Sequence, residues 1–171
     1  MGTTEQQSGL ERGAVEELVQ RFTEAWAARD PERVAACCTE DVVWLDPVAP
    51  EPLRGRADVV RFARATFAMS PDFEVVPTEP PYLSDGGARV LLPYRMRGTM
   101  TGPWELLDLA PTGRRYEISG IDSWEVRDGL IARYETFFDA MDSARQMGMM
   151  PEQGSAGERA FRRFQRRSAG A

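Results

Sequence analysis

Val15, Leu18, Val19, Phe22 and Trp26 recur at intervals of three or four residues, which predicts an amphipathic helix with one face to bury. Ser8 followed by Glu11 is a capping-box pattern ahead of it, and the helix is expected to end near Arg29. Asp30-Pro31-Glu32 then restarts the chain as a cap followed by proline, predicting a short second helix from Pro31 to about Cys38. Val42-Val43-Trp44-Leu45 is rich in β-formers, and Asp46-Pro47 closes that strand because proline cannot donate to a ladder. A third helix is expected from about Arg56 to Ala68, with Val59, Phe62, Ala63 and Phe67 turned inward, until Pro71 stops it.

Beyond Pro71 the period changes from helical to strand-like. Strands are predicted over Phe73 to Val76, Arg89 to Gly98, Arg115 to Arg127 and Leu130 to Phe138, punctuated by turn clusters such as Ser84-Asp85-Gly86-Gly87 and Asp128-Gly129. Helices first and a meander afterwards predict an α+β domain, a curved antiparallel sheet with helices on one face. The connection Thr99 to Gly113 carries Trp104, Leu106, Leu107 and Leu109, which suits a lid over a pocket or a subunit interface. One domain is expected over residues 1–150. Residues 151–171 form a basic tail, read as a marginal helix or a disordered end, with Phe161 and Phe164 among Arg159, Arg162, Arg163, Arg166 and Arg167.

Composition narrows the function. A length of 171 residues fits one domain, and 21 Lys and Arg against 27 Asp and Glu leave a formal charge of −6, which repels polyanions and argues against nucleic-acid binding. No run of apolar residues is long enough to span a membrane, and Met1 to Ser8 is polar where a signal peptide needs an apolar segment, so a cytoplasmic location is expected. The two cysteines, Cys37 and Cys38, are adjacent and read as buried thiols rather than a disulfide. With no histidine, the chain lacks a Ser-His-Asp or Cys-His relay and the commonest zinc ligand. Acid–base chemistry therefore falls to other side chains, carboxylates first among them.

One carboxylate stands out by its phase. Alternation from Tyr116 to Val126 puts Asp122 on the same face as Tyr116, Ile118, Gly120 and Trp124, the apolar side of the strand. Burial there raises a carboxyl's proton affinity, and a protonated Asp122 could donate to a substrate oxygen; a structural Asp satisfied by backbone donors or an arginine is the alternative. Asp46 follows Trp44-Leu45 at a strand end, where an Asp before proline also serves as a turn former. Tyr94 lies in phase with Val90, Leu92 and Met96, so its hydroxyl needs a partner inside.

Two segments carry a family resemblance. Asp46-Pro47-Val48-Ala49-Pro50-Glu51-Pro52 resembles the Asp-Pro-Val-Gly-x-Glu-Pro segment of ketosteroid isomerases, and Gly120-Ile121-Asp122 resembles their Ile-Asp strand. The second half, from Gly98-Thr99-Met100-Thr101-Gly102-Pro103 to Phe137-Phe138-Asp139-Ala140, is similar to SnoaL-like polyketide cyclases. Both groups share the NTF2-like cone, so the resemblance implies a curved sheet wrapped around a long N-terminal helix with two further helices. It also implies a cofactor-free isomerase or cyclase acting on an apolar polycyclic carbonyl compound, polyketide- or steroid-like, in a homodimer. Neither a metal nor a membrane is implied.

On that resemblance Asp46 matches the general base and Asp122 the neutral acid, a pairing for which the isomerase is itself a standard illustration. Tyr94 is the assisting hydroxyl, and the substrate is expected to meet Phe22, Trp26, Trp44, Phe62, Trp104, Trp124 and Glu135. Three departures are visible: Phe22 stands where the isomerases carry a tyrosine, Met100 where the cyclases commonly carry a histidine, and Thr136, beside Glu135, where limonene-type epoxide hydrolases carry an Asp. Epoxide opening and a non-catalytic binding or dimerisation module are the alternatives.

Overall fold

The computed structural model describes residues 3–84 and 88–169, with side chains from residue 12 onward. The first helix, α1 (Thr3–Ala27), starts before the Ser8 expected to cap it; the side chains of Ser8 and Glu11, like the turn at 85–87, lie outside the described residues. All five positions of its apolar stripe are buried. The short helix α2 (Pro31–Ala36) begins as the sequence implies, with Asp30 accepting a hydrogen bond from the Arg33 N–H at 3.0 Å. It stops earlier than expected, because Cys38 already belongs to the first strand, β1 (Cys38–Leu45). Helix α3 (Gly55–Met69) follows a two-residue strand, β2 (Leu53–Arg54), that pairs back onto β1.

The remaining strands are β3 (Glu74–Pro77), β4 (Tyr82–Leu83), β5 (Arg89–Thr99), β6 (Arg115–Arg127) and β7 (Leu130–Phe138). They form one curved sheet in the order β2-β1-β7-β6-β5-β3, with β4 paired to β5. The meander of β3 to β7 is antiparallel as expected, and only β1 and β7 run parallel among the described pairs, so the sheet expected to be antiparallel has one parallel seam where β1 joins it. That seam sets Trp44 beside Tyr134 although ninety residues separate them in the chain. The short strands β2 and β4 and the helix α4 (Ala140–Gln146), capped by Asp139, were not anticipated, whereas α5 (Ala156–Ser168) realises the helical reading of the tail, with no buried residue.

Alternation in β6 holds as far as Trp124 and ends at a bulge between Glu125 and Val126. The inner faces of β1, β6 and β7 receive α1 through Phe22, whose ring lies 5.0 Å from Trp124, 6.0 Å from Tyr134 and 6.1 Å from Trp44. Trp26, one turn later, meets Phe67 of α3 at 5.3 Å and Phe73 at 5.5 Å. Each fully buried aromatic or aliphatic side chain contributes roughly 1.5–3 kcal/mol, so this aromatic layer fixes helix against sheet. Cys37 and Cys38 are free, buried thiols, and burial pushes Cys38 up to about 12.

Candidate active site

The sheet's inner face does not pack solid against the helices. It leaves a cavity of about 80 Å³ between α1, α3, α4 and strands β1 and β5 to β7. Helix α1 supplies Phe22 and Trp26, α3 supplies Phe62, Thr66 and Met69, and β1 supplies Trp44. The far wall is Tyr94 and Met96 of β5, Tyr116, Ile118 and Asp122 of β6, and Tyr134, Thr136 and Phe138 of β7. Ser143 of α4, Met147 just past its end and Trp104 of the β5–β6 connection close one side. That connection is held down where the Gly102 N–H donates to the Met69 carbonyl at 2.9 Å.

Asp46 and Asp122 arrive from opposite ends of the chain. Asp46 is the first residue past β1, where it also shapes the turn: its Oδ1 accepts the Val48 N–H and its carbonyl the Ala49 N–H, each at 3.0 Å. Turn former and cavity residue are thus one side chain. Asp122 is 3% exposed and sits in register between Leu92 of β5 and Thr136 of β7. The Tyr134 hydroxyl donates to its Oδ1 at 2.6 Å. Tyr94 finds its interior partner in Thr136, hydroxyl to hydroxyl at 2.7 Å. Its ring crosses directly over Gly120 on the neighbouring strand, where a Cβ would lie 2.6 Å from Tyr94 Cζ.

Of the seven residues expected to meet the substrate, Phe22, Trp26, Trp44, Phe62 and Trp104 line the cavity. Trp124 and Glu135 do not. Trp124 shares the inner face with Asp122 but is completely buried against Phe22, in solid core. Glu135 falls on the opposite face of β7 from Tyr134 and Thr136, 3.5 Å from Arg133, where it borders an outer hollow with Leu45 and Phe137. Met100 is fully buried and outside the cavity wall.

The family model of the SnoaL-like domain matches residues 19–134, most of this framework. The chain belongs to the SnoaL-like family. Among curated proteins none is similar enough in sequence to match. Solved structures place it in the NTF2-like fold. TsrD from Streptomyces laurentii is 23% identical with a TM-score of 0.68, covering 80% of this chain and 96% of that one. A proposed SnoaL-like polyketide cyclase from Jannaschia sp. CCS1 is 19% identical with a TM-score of 0.68, covering 81% and 94%. A proposed polyketide cyclase from Xanthomonas campestris pv. campestris is 26% identical with a TM-score of 0.66, covering 80% and 98%.

Within this SnoaL-like cavity the polar groups are few and unequal. Burial pushes Asp122 up to about 7, opposed by the hydroxyls of Tyr134 and Thr136. Burial also pushes Asp46 up, to about 6, against the pull of the Val48 N–H. Asp46 keeps some contact with solvent, and its charge adds to the rise at Asp122. Tyr94 and Tyr134 are both held above the usual phenol range, by burial first and by the nearby Asp122 second, and stay neutral donors. No arginine lines the cavity, so the expected alternative of an arginine partner for Asp122 is not realised among the described residues. The indole N–H groups of Trp44 and Trp104 have no hydrogen-bond partner in the protein.

Tyr134 and Thr136 were missed as site residues. The signal was present, since both are in phase with Phe138 on β7, but nothing local says which face of β7 turns inward next to Asp122. Among the described residues no group of three or more His, Cys, Asp or Glu is placed to hold a metal, and no helix is long and apolar enough to cross a membrane.

Proposed function

We propose that this SnoaL-like domain is a cofactor-independent isomerase or cyclase of an apolar carbonyl compound, polyketide- or steroid-like, working by carboxylate acid–base catalysis through an enolate. One observation carries the reading: two carboxylates, both pushed up by burial, share a single aromatic cavity. Asp46, the stronger acid and the better solvated, is mostly ionised near neutral pH and takes a proton from the carbon beside the carbonyl. The C–H electron pair becomes the enolate, whose oxygen accepts a hydrogen bond from protonated Asp122. The proton returns from Asp46 to a different carbon in an isomerisation, or the enolate carbon attacks a second carbonyl in a cyclisation and the alkoxide so formed takes the proton from Asp46.

Tyr94, coupled to Thr136, offers a further neutral donor on the same wall and takes up part of the work of the tyrosine that Phe22 replaces. A positioned base contributes roughly 10²–10⁴-fold and an oxyanion donor in a dry site roughly 10²–10³-fold, enough for an activated carbon acid. Epoxide opening of the limonene type asks for an arginine between two carboxylates. The cavity wall offers Thr136 and no arginine there.

The test needs no natural substrate. Exchange of the α-protons of 2-tetralone in deuterium oxide, followed by NMR, is expected to be about 10²–10⁴-fold faster with wild type than with Asp46→Asn. Equal rates for the two proteins would sink the enzyme reading and leave a ligand-binding module.

A further inference from the structure

We infer that the cavity is a binding site for a compact alkylammonium group, held between aromatic ring faces and the carboxylates of Asp46 and Asp122. Charge is the first ground. Two carboxylates line one cavity, yet no arginine lines it, and the sequence contains neither lysine nor histidine. Arg133, the basic side chain nearest in sequence to Tyr134, pairs with Glu135 on the outer face of β7 instead. A second ionised carboxyl in such a space is costly unless a cation enters with the ligand.

The walls supply the second ground. Phe22, Trp26, Trp44, Phe62 and Tyr134 all line the same cavity. Ring faces attract a cation lying within about 6 Å of their centroids, most strongly when water is excluded, and aromatic cages of this kind take alkylated ammonium groups. At about 80 Å³ the cavity takes a compact head group, and its open side leaves room for the rest of a larger ligand.

The pH dependence follows from which groups face the ligand. The tyrosines of β5, β6 and β7, Tyr94, Tyr116 and Tyr134, are held neutral by burial. The lining residues of α1, α3 and α4 contribute no titratable side chain. Only the two aspartates change charge between pH 5 and 8, so the affinity for a permanent cation rises with pH.

Tetramethylammonium chloride is the probe, because it keeps its charge at every pH; tert-butanol is its neutral counterpart, with sodium chloride matching ionic strength. Titration calorimetry with wild type should show saturable binding about tenfold tighter at pH 8 than at pH 5, as expected for a carboxyl that titrates near pH 6. Tert-butanol should bind more weakly and without pH dependence, and Asp46→Asn should weaken the cation alone. Equal binding of the neutral alcohol by wild type, or cation binding unchanged in both Asp46→Asn and Asp122→Asn, overturns the inference. The wild-type comparison decides the matter even if a variant misfolds. Failure of the enzyme reading is separable, since an enolate-mimicking phenol needs Asp122 protonated and binds better as pH falls.

Discussion

Replacing Asp122 by Asn should stabilise the protein, by an amount that grows with pH. Burial raises the carboxyl in the folded state to about 7, while in the unfolded chain it returns to 3.8. Between those values the folded state holds a proton that the unfolded state has released, so folding stability falls as pH climbs from 4 to 7 and levels off above. Three pKa units correspond to about 4 kcal/mol at pH 8, and only about 1 kcal/mol of that is already lost at pH 4.5. Asparagine has nearly the same shape, can still accept from the Tyr134 hydroxyl, and never ionises. Urea unfolding of both proteins at pH 4.5, 6 and 8 therefore measures a gap that widens by about 3 kcal/mol toward alkaline pH. A gap that stays constant across this range, or a variant less stable than wild type at pH 8, refutes the claim that desolvation dominates at Asp122. Such an outcome would remove the ground for treating it as a neutral acid near pH 7.

Tyr134→Phe removes a donor that favours ionised Asp122, so the carboxyl should titrate one to two units higher, as an infrared carbonyl band would report. An unchanged midpoint would mean the Tyr134 hydroxyl does not hold the carboxylate. Gly120→Ala forces a Cβ into the Tyr94 ring and should cost about 1–3 kcal/mol in chemical denaturation, while Tyr94→Phe with Gly120 intact should cost less. Deleting residues 156–171 removes a helix with no buried residue, and stability should stay within about 0.5 kcal/mol of the full chain.

Much of the site was legible because its elements announce themselves locally. The stripe through Val15, Leu18, Phe22 and Trp26 can only be a half-buried helix, since the 3.6-residue turn brings those positions to one side whatever surrounds them. The same holds for Asp122, in phase with Tyr116, Ile118 and Trp124 because side chains along a strand alternate. Asp46 was legible only through its resemblance to a known segment, because Asp before Pro is a turn signal wherever it occurs, and here it is that as well.

Trp124 shows where a face ceases to be a site. Phase puts it inward with Asp122, but whether an inward residue meets a cavity or solid core depends on what packs opposite, and Phe22 fills that space. Glu135 fails for the converse reason: one residue's displacement along β7 sends it to the outer face. The helix α4 that closes the cavity was invisible because a seven-residue segment is too short to reveal a period.

By itself, then, the amino-acid order determined the kinds of the longer elements, their inner faces and Asp122 as an acid that such a face could present. Only the tertiary structure decided that Thr136 lies opposite Asp122, that Tyr94 crosses Gly120, and that the parallel seam of β1 with β7 stacks Trp44 on Tyr134. Periodicity is a property of a few neighbouring residues. Strand partnership and register are instead chosen by the packing of the entire core, and those choices bring a buried and a half-buried aspartate to one cavity.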